Sequence, residues 1–196
     1  MLRLGPDAPT LCEGWSTRHL AAHLVVRESR PDAAAGIVGG PLSAWNERVT
    51  NATATQPYPE LVRKVRTGPP MLSWFSLPGM DGLANLTEYV VHHEDVRRAQ
   101  PDWQPREIPS DLADELWNRL RQMARLFLRR VPGGVTLERT DGAGGSLVGK
   151  RGTPMVTVSG TSLDLMMRLH GRTATLVEVS GPPEAVAAFE AARLSL

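Results

Sequence analysis

Glu88 and His92 stand four residues apart in the stretch Thr87-Glu88-Tyr89-Val90-Val91-His92-His93-Glu94-Asp95. On an α-helix this spacing brings two side chains out on one face, so a carboxylate oxygen and an imidazole nitrogen can meet on one cation. Asp95, three residues after His92, falls on the same face. A mixture of nitrogen and oxygen donors suits zinc and similar divalent ions. Two ligands from one helix do not complete a site. His23, on an earlier stretch with helical patterning between Leu20 and Leu24, is the candidate third donor. Helical proteins build metal sites in this way, from side chains of different helices turned toward one interior.

Each residue also has a simpler reading. Glu88 stands three residues after Asn85, the spacing of a capping box. Glu88, His92 and Asp95 together could form a solvated face, with Leu83, Leu86 and Val90 buried opposite. A lone histidine on an apolar face, as at His23, is commonly a hydrogen-bonded core residue. His19 lies one turn before His23 and is read as either an orienting partner of the site or an exposed residue near a helix start. His93 points away from Glu88. Cys12 has no second cysteine at a ligand spacing and reads as a small buried group. His170 precedes Gly171, where a cation suits a helix C-terminus. Arg119, Arg121, Arg125, Arg129 and Arg130 could bind phosphate, but a solvated face is the simpler account. The glycine-rich run Asp141–Gly145 joins two strands and lacks a following lysine and helix, which excludes a nucleotide-binding loop.

Bulk properties bound the class. With 196 residues, 41% hydrophobic and 22% charged, the chain has the composition of a globular protein and not of a disordered one. A net charge of +1 gives no electrostatic reason to expect nucleic acid or a membrane surface as partner. The single cysteine excludes an internal disulfide framework and fits a reducing compartment. No apolar run reaches membrane-spanning length, and no signal peptide is evident, so the expected location is cytoplasmic.

The elements that must position these residues follow from periodicity and punctuation. After an irregular lead-in over 1–14, Ser16 or Thr17 can cap a helix running to about Glu28. A second short helix is expected at Ala33–Ile37, and further helical pieces at Ser43–Val49 and Pro59–Val65. Met71–Leu77 lies between the breaks Gly68-Pro69-Pro70 and Pro78-Gly79. The helix carrying Glu88 and His92 spans about Leu83–Ala99. Ser110 is expected to cap a long amphipathic helix that ends near Pro132, with Leu112, Leu116, Leu120, Met123 and Phe127 at helical spacing. Beyond Gly134 the pattern changes: strands at Val135–Thr140, Ser146–Gly149, Met155–Ser159 and Thr175–Val179, and helices at Thr161–His170 and Pro183–Arg193. The expectation is an α+β chain, with an all-helical domain over 1–132 and a small α+β domain over 133–196.

The segment Pro9-Thr10-Leu11-Cys12-Glu13-Gly14-Trp15-Ser16-Thr17-Arg18-His19-Leu20-Ala21-Ala22-His23-Leu24 resembles the early signature of the mycothiol-dependent maleylpyruvate isomerase family, within the DinB-like superfamily. That signature is a Gly-Trp pair, a helix start, and a metal-binding histidine on the helix. Glu88-x-x-x-His92 with Asp95 resembles the family's second metal segment. Val158–Gly160, Leu163–Leu165, Leu169, Gly171-Arg172 and Val177–Gly181 resemble its C-terminal domain. The likeness is to an uncharacterised actinobacterial branch.

The resemblance implies a four-helix bundle holding a divalent metal, usually zinc, through His23, Glu88 and His92. Only Met1–Ala8 precede the Pro-Thr-x-Cys segment, so it also implies that most of a first helix is lacking. One side of the bundle would then be exposed, or covered by a partner such as a second copy of the chain. Three protein ligands leave a coordination position open, as in catalytic sites. A low-molecular-weight thiol, mycothiol in this family, would ionise there and add to an electrophilic small molecule, giving isomerisation or S-transfer. Asp95 or His19 would orient a ligand, and Arg172 would meet a substrate carboxylate. The competing class is a non-catalytic metal-binding or interaction protein.

Overall fold

The structure is a computed structural model that describes residues 1–30, 32, 42–68 and 81–194, with backbone alone for 81–85. The expected helix at Ala33–Ile37 and the segment Met71–Leu77 lie outside the described residues. The chain is α+β and divides into two compact units, Met1–Gln104 and Pro105–Leu196. No helix among the described residues is long and apolar enough to cross a membrane.

The first unit contains α1 (Thr17–Ser29), α2 (Ser43–Ala54), α3 (Tyr58–Thr67) and α4 (Asp81–Arg98). Helix α1 is buried nearly all round, from Leu20 to Glu28. Its small residues Ala21 and Ala22, with Val25, pack on Ala54, Tyr58, Leu61 and Val62. A helix covered on every side must partner its polar groups, and α1 buries Thr17, His23, Arg27 and Glu28. Tyr89 Oη on α4 donates to Glu28 Oε1, which ties α1 to α4. Helix α4 begins at Asp81, so Asn85 lies a turn inside the helix and not at its start. Within α4, Arg98 Nε donates to the fully buried Glu94 at 2.7 Å, and its guanidinium lies 5.0 Å from the Trp103 ring centre.

The lead-in is irregular in backbone but tightly pinned. Thr17 Oγ1 donates to the Gly5 carbonyl at 2.6 Å, and Thr10 Oγ1 to the Trp15 carbonyl at 2.7 Å. Leu11 N donates to the Asp95 carbonyl at 3.0 Å, which fastens this segment to α4.

The second unit contains α5 (Ser110–Phe127), β1 (Gly134–Arg139), β2 (Gly145–Lys150), β3 (Met155–Gly160), α6 (Ser162–Leu169), β4 (Glu178–Ser180) and α7 (Pro183–Ala191). The sheet order is β2-β1-β3-β4. β1 and β2 form an antiparallel hairpin, and β3 returns parallel to β1 with Val135 opposite Val156 and Leu137 opposite Val158. These four side chains are buried, as the alternation of a one-sided sheet requires. α5 buries Ala113, Leu116, Trp117, Leu120, Ala124 and Phe127, and packs on α6 and β2. The sequence reading placed α5 in the first domain, with a boundary near 132–134. The compact units instead part between Gln104 and Pro105, because the apolar stripe of α5 is covered by the sheet hairpin and α6.

Local chemistry explains the element ends. The residue before α5 is Pro109, in extended backbone, and Ser110 is the first helical residue and not its cap. Thr161 caps α6 by accepting from Asp164 N. Asp141, in the glycine-rich turn, accepts from Ser162 N at 3.1 Å and Ser162 Oγ at 2.8 Å, while Arg139 reaches it at 2.6 Å. That turn therefore clamps the start of α6. β4 is shorter than expected, pairing with β3 over Glu178–Ser180 only.

Candidate metal centre

Three donors from two helices of the first unit converge. His23 Nε2 from α1 lies 3.9 Å from Glu88 Oε2, and His92 Nε2 lies 3.3 Å from the same oxygen. All three ligand atoms fall within 4.8 Å of one another. Four-coordinate bonds of about 2.0–2.1 Å place ligand atoms about 3.3–3.4 Å apart. The observed spacings are close to that, so a small inward movement of His23 would close the donors on one ion. The His23 and His92 rings meet edge to face, with centroids 5.2 Å apart. Trp15 also packs on His23, with ring centroids 5.0 Å apart.

His92 is held by its second nitrogen. Nδ1 lies 2.8 Å from Oδ2 of Asp95, whose side chain is fully buried. This is the carboxylate–histidine arrangement that fixes tautomer and ring direction in metal sites and leaves Nε2 to face the ion. Cys12 Sγ donates to the same Asp95 oxygen at 3.1 Å and lies 3.8 Å from His92 Nδ1. Cys12, His92 and Asp95 thus form a second group of potential ligands. The two groups use opposite nitrogens of one imidazole, whose lone pairs diverge, so Cys12 does not face the position shared by His23 and Glu88. His23 is held differently. Its Nδ1 is buried without a hydrogen-bond partner among the described residues, and the ring lies against Trp15 in a tilted contact.

The electrostatics separate the two imidazoles. Burial pushes the pKa of His23 down, and the neighbouring His92 adds to this against the opposing pull of Glu88. Burial also works downward on His92, but the bonds to Asp95, Cys12 and Glu88 outweigh it and hold the ring well above the usual histidine range. For Glu88, burial works upward and is overcome by the bonds from His23 and His92 and the charges of His92 and Arg27, so its carboxyl lies well below the usual range. Without a metal the cluster is therefore a neutral His23, an ionised Glu88 and a protonated His92. Arg27 Nε stands 3.7 Å from Glu88 Oε2 and contributes a second positive charge. A carboxylate and one neutral imidazole are already in ligand form. The other imidazole must release a proton before it can coordinate.

Other candidates stand elsewhere. His19 Nδ1 lies 3.1 Å from Ser16 Oγ, at the start of α1. The His93 side chain is 58% exposed and its Nδ1 is 3.4 Å from Glu94. Arg172 belongs to the second unit, where Nη1 donates to the His170 carbonyl at 2.7 Å. The residue that sequence reasoning missed at the site is Cys12. Its signal was its place in the Pro-Thr-x-Cys segment before the Gly14-Trp15 pair; its partners His92 and Asp95 are some eighty residues away in the chain. No family model matches the chain, and no curated protein or solved structure is significantly similar to it.

Proposed function

We propose that His23, Glu88 and His92 hold one divalent cation, zinc by donor preference, and that the protein is a metal-dependent enzyme using a low-molecular-weight thiol. The observation that carries this reading is the convergence of donors from α1 and α4, with the rear nitrogen of His92 anchored on buried Asp95. A structural role for histidine alone does not require two rings and a carboxylate to face one point. The sequence resemblance supplies the rest of the proposal. It suggests a DinB-like bundle for the helical unit and mycothiol as the thiol in an isomerase or S-transferase reaction; the single cysteine suggests a reducing, cytoplasmic setting.

Bound there, a zinc ion would supply Lewis acidity and an open position favouring the thiolate form of an entering thiol. The chain's own residues prepare that position. Glu88 brings the negative charge, His23 arrives neutral, and His92 gives up its Nε2 proton while Asp95 keeps Nδ1 protonated. Cys12 is engaged with Asp95, on the side of His92 away from the ion.

A second reading is a non-catalytic site. It takes the cluster as a metal-binding or ion-pair network that joins α1 to α4, with Arg27 and His92 as cationic partners of Glu88. Two experiments separate the readings. Elemental analysis of zinc-incubated, gel-filtered protein should give one ion per chain, and none in a folded His92→Ala variant. Retention of the ion in that variant would remove the site. Metal-loaded protein should then turn over mycothiol with a reactive electrophile, and chelation should stop it. Absence of turnover with any low-molecular-weight thiol in loaded protein would favour the non-catalytic reading.

A further inference from the structure

The second unit holds a cavity of about 700 Å³ lined by Arg125, Arg129, Val148, Gly149, Lys150 and Arg151. Four of these six residues are cationic and none is acidic. The chain as a whole carries only +1, so this is a local concentration of charge. It is also a built feature. A Cβ on Gly149 would come 2.7 Å from Leu128 Cδ1 and 3.3 Å from Ala124 Cβ. The absent side chain lets edge strand β2 lie against the end of α5. That approach brings Lys150 and Arg151 beside Arg125 and Arg129, which stand one turn apart.

Helix-end chemistry accounts for part of the cluster. Lys150 Nζ donates to the carbonyls of Arg129, at 3.3 Å, and Val131. Arg129 Nη1 turns back to the Leu126 carbonyl at 3.5 Å. Cations near a helix C-terminus are favourable in any case. Arg125 and Arg151 are not explained this way: among the described residues neither has a hydrogen-bonding or ion-pair partner. Like charges gathered round one cavity raise each other's energy, and a multiply charged anion relieves that repulsion.

We propose that this cavity binds a small polyanion of the di- or triphosphate class. Guanidinium forks match phosphate oxygens two at a time, and Lys150 adds a point charge. The volume lies within the roughly 300–1,000 Å³ typical of small-molecule sites. A nucleic-acid strand would call for a strongly basic chain, and the net charge of +1 does not favour one. The site is independent of the metal centre, which belongs to the other unit.

Calorimetric titration of the full chain with inorganic tripolyphosphate, in metal-free buffer, tests this. The expected result is one saturable site per chain, equally present in His92→Ala protein. Arg125→Glu combined with Arg151→Glu should weaken it about tenfold, as expected for reversing two solvent-facing charged contacts. Arg63→Glu combined with Arg66→Glu, exposed on α3, makes the same change in net charge and should leave binding unaltered. If charge reversal unfolds the second unit by circular dichroism, Arg125→Gln with Arg151→Gln should still weaken binding. The proposal is overturned by absence of saturable binding, by equal weakening in the α3 control, or by loss of binding in His92→Ala protein. Citrate bound as tightly as tripolyphosphate would overturn the phosphate class. A single-stranded oligonucleotide bound where tripolyphosphate is not would overturn the small-anion assignment.

Discussion

Replacing Asp95 by Asn isolates the anchoring of His92. The Asp95 carboxylate is fully buried, 2.8 Å from His92 Nδ1, and also accepts from Cys12. Asn keeps the shape and an acceptor oxygen but removes the charge that makes the imidazole a stronger ligand. Loss of such a partner costs about 10–100-fold in metal affinity, or about 1.4–2.8 kcal/mol. The same carboxylate also favours the protonated ring, which competes with the metal. In Asp95→Asn protein that competition weakens as the intrinsic affinity falls. The deficit relative to the unaltered chain should therefore be largest at alkaline pH, where neither ring is protonated, and should shrink toward neutral pH. Competition against a chromophoric zinc chelator across that range measures it, with circular dichroism to confirm folding. An unchanged affinity at alkaline pH, or a deficit independent of pH, would refute the assigned role of Asp95.

Three further outcomes can be measured. Zinc binding at neutral pH should release about one proton per ion, from His92 and not from His23, because coordination displaces a proton only from a ring that carries it; calorimetry in buffers of different ionisation heat reads this, and zero release would contradict the assignment. The stability that protonated His92 gives the metal-free chain should be full below its unfolded pKa of about 6.5 and lost as pH rises through the raised folded value, so zinc should stabilise most on the alkaline side. Leu61→Ala should cost about 2–5 kcal/mol in urea unfolding, since Leu61 is fully buried against Ala21, Ala22 and Tyr58 in the cluster that supports α1; a cost near zero would mean that α1 is not held by α3.

The sequence made some of this legible and hid the rest for physical reasons. Glu88 and His92 could be placed together because helical spacing is a local rule, and the same rule gave α1 and the stripe of α5. What α5 packs against was not legible. An amphipathic helix declares that one face is covered, and Leu116, Leu120 and Phe127 would look the same under a bundle or under a sheet. Cys12 was read as a small buried group because its partners depend on the Leu11–Asp95 backbone bond, a long-range contact with no local signature. Ser110 looked like a cap by type, yet Pro109 holds the extended backbone that ends the preceding loop. The basic cavity was hidden for a related reason: Arg125 and Arg129 are exposed, as a solvated face requires, and no local pattern announces that Gly149 brings a strand beside them.

X-ray absorption of zinc-loaded protein in thiol-free buffer reads the ligand set itself. His23, Glu88 and His92 should give nearest neighbours of nitrogen and oxygen at about 2.0–2.1 Å, the outer-shell signature of two imidazoles, and no sulfur. A sulfur neighbour at about 2.3 Å would place Cys12 on the ion and contradict the site built from His23, Glu88 and His92.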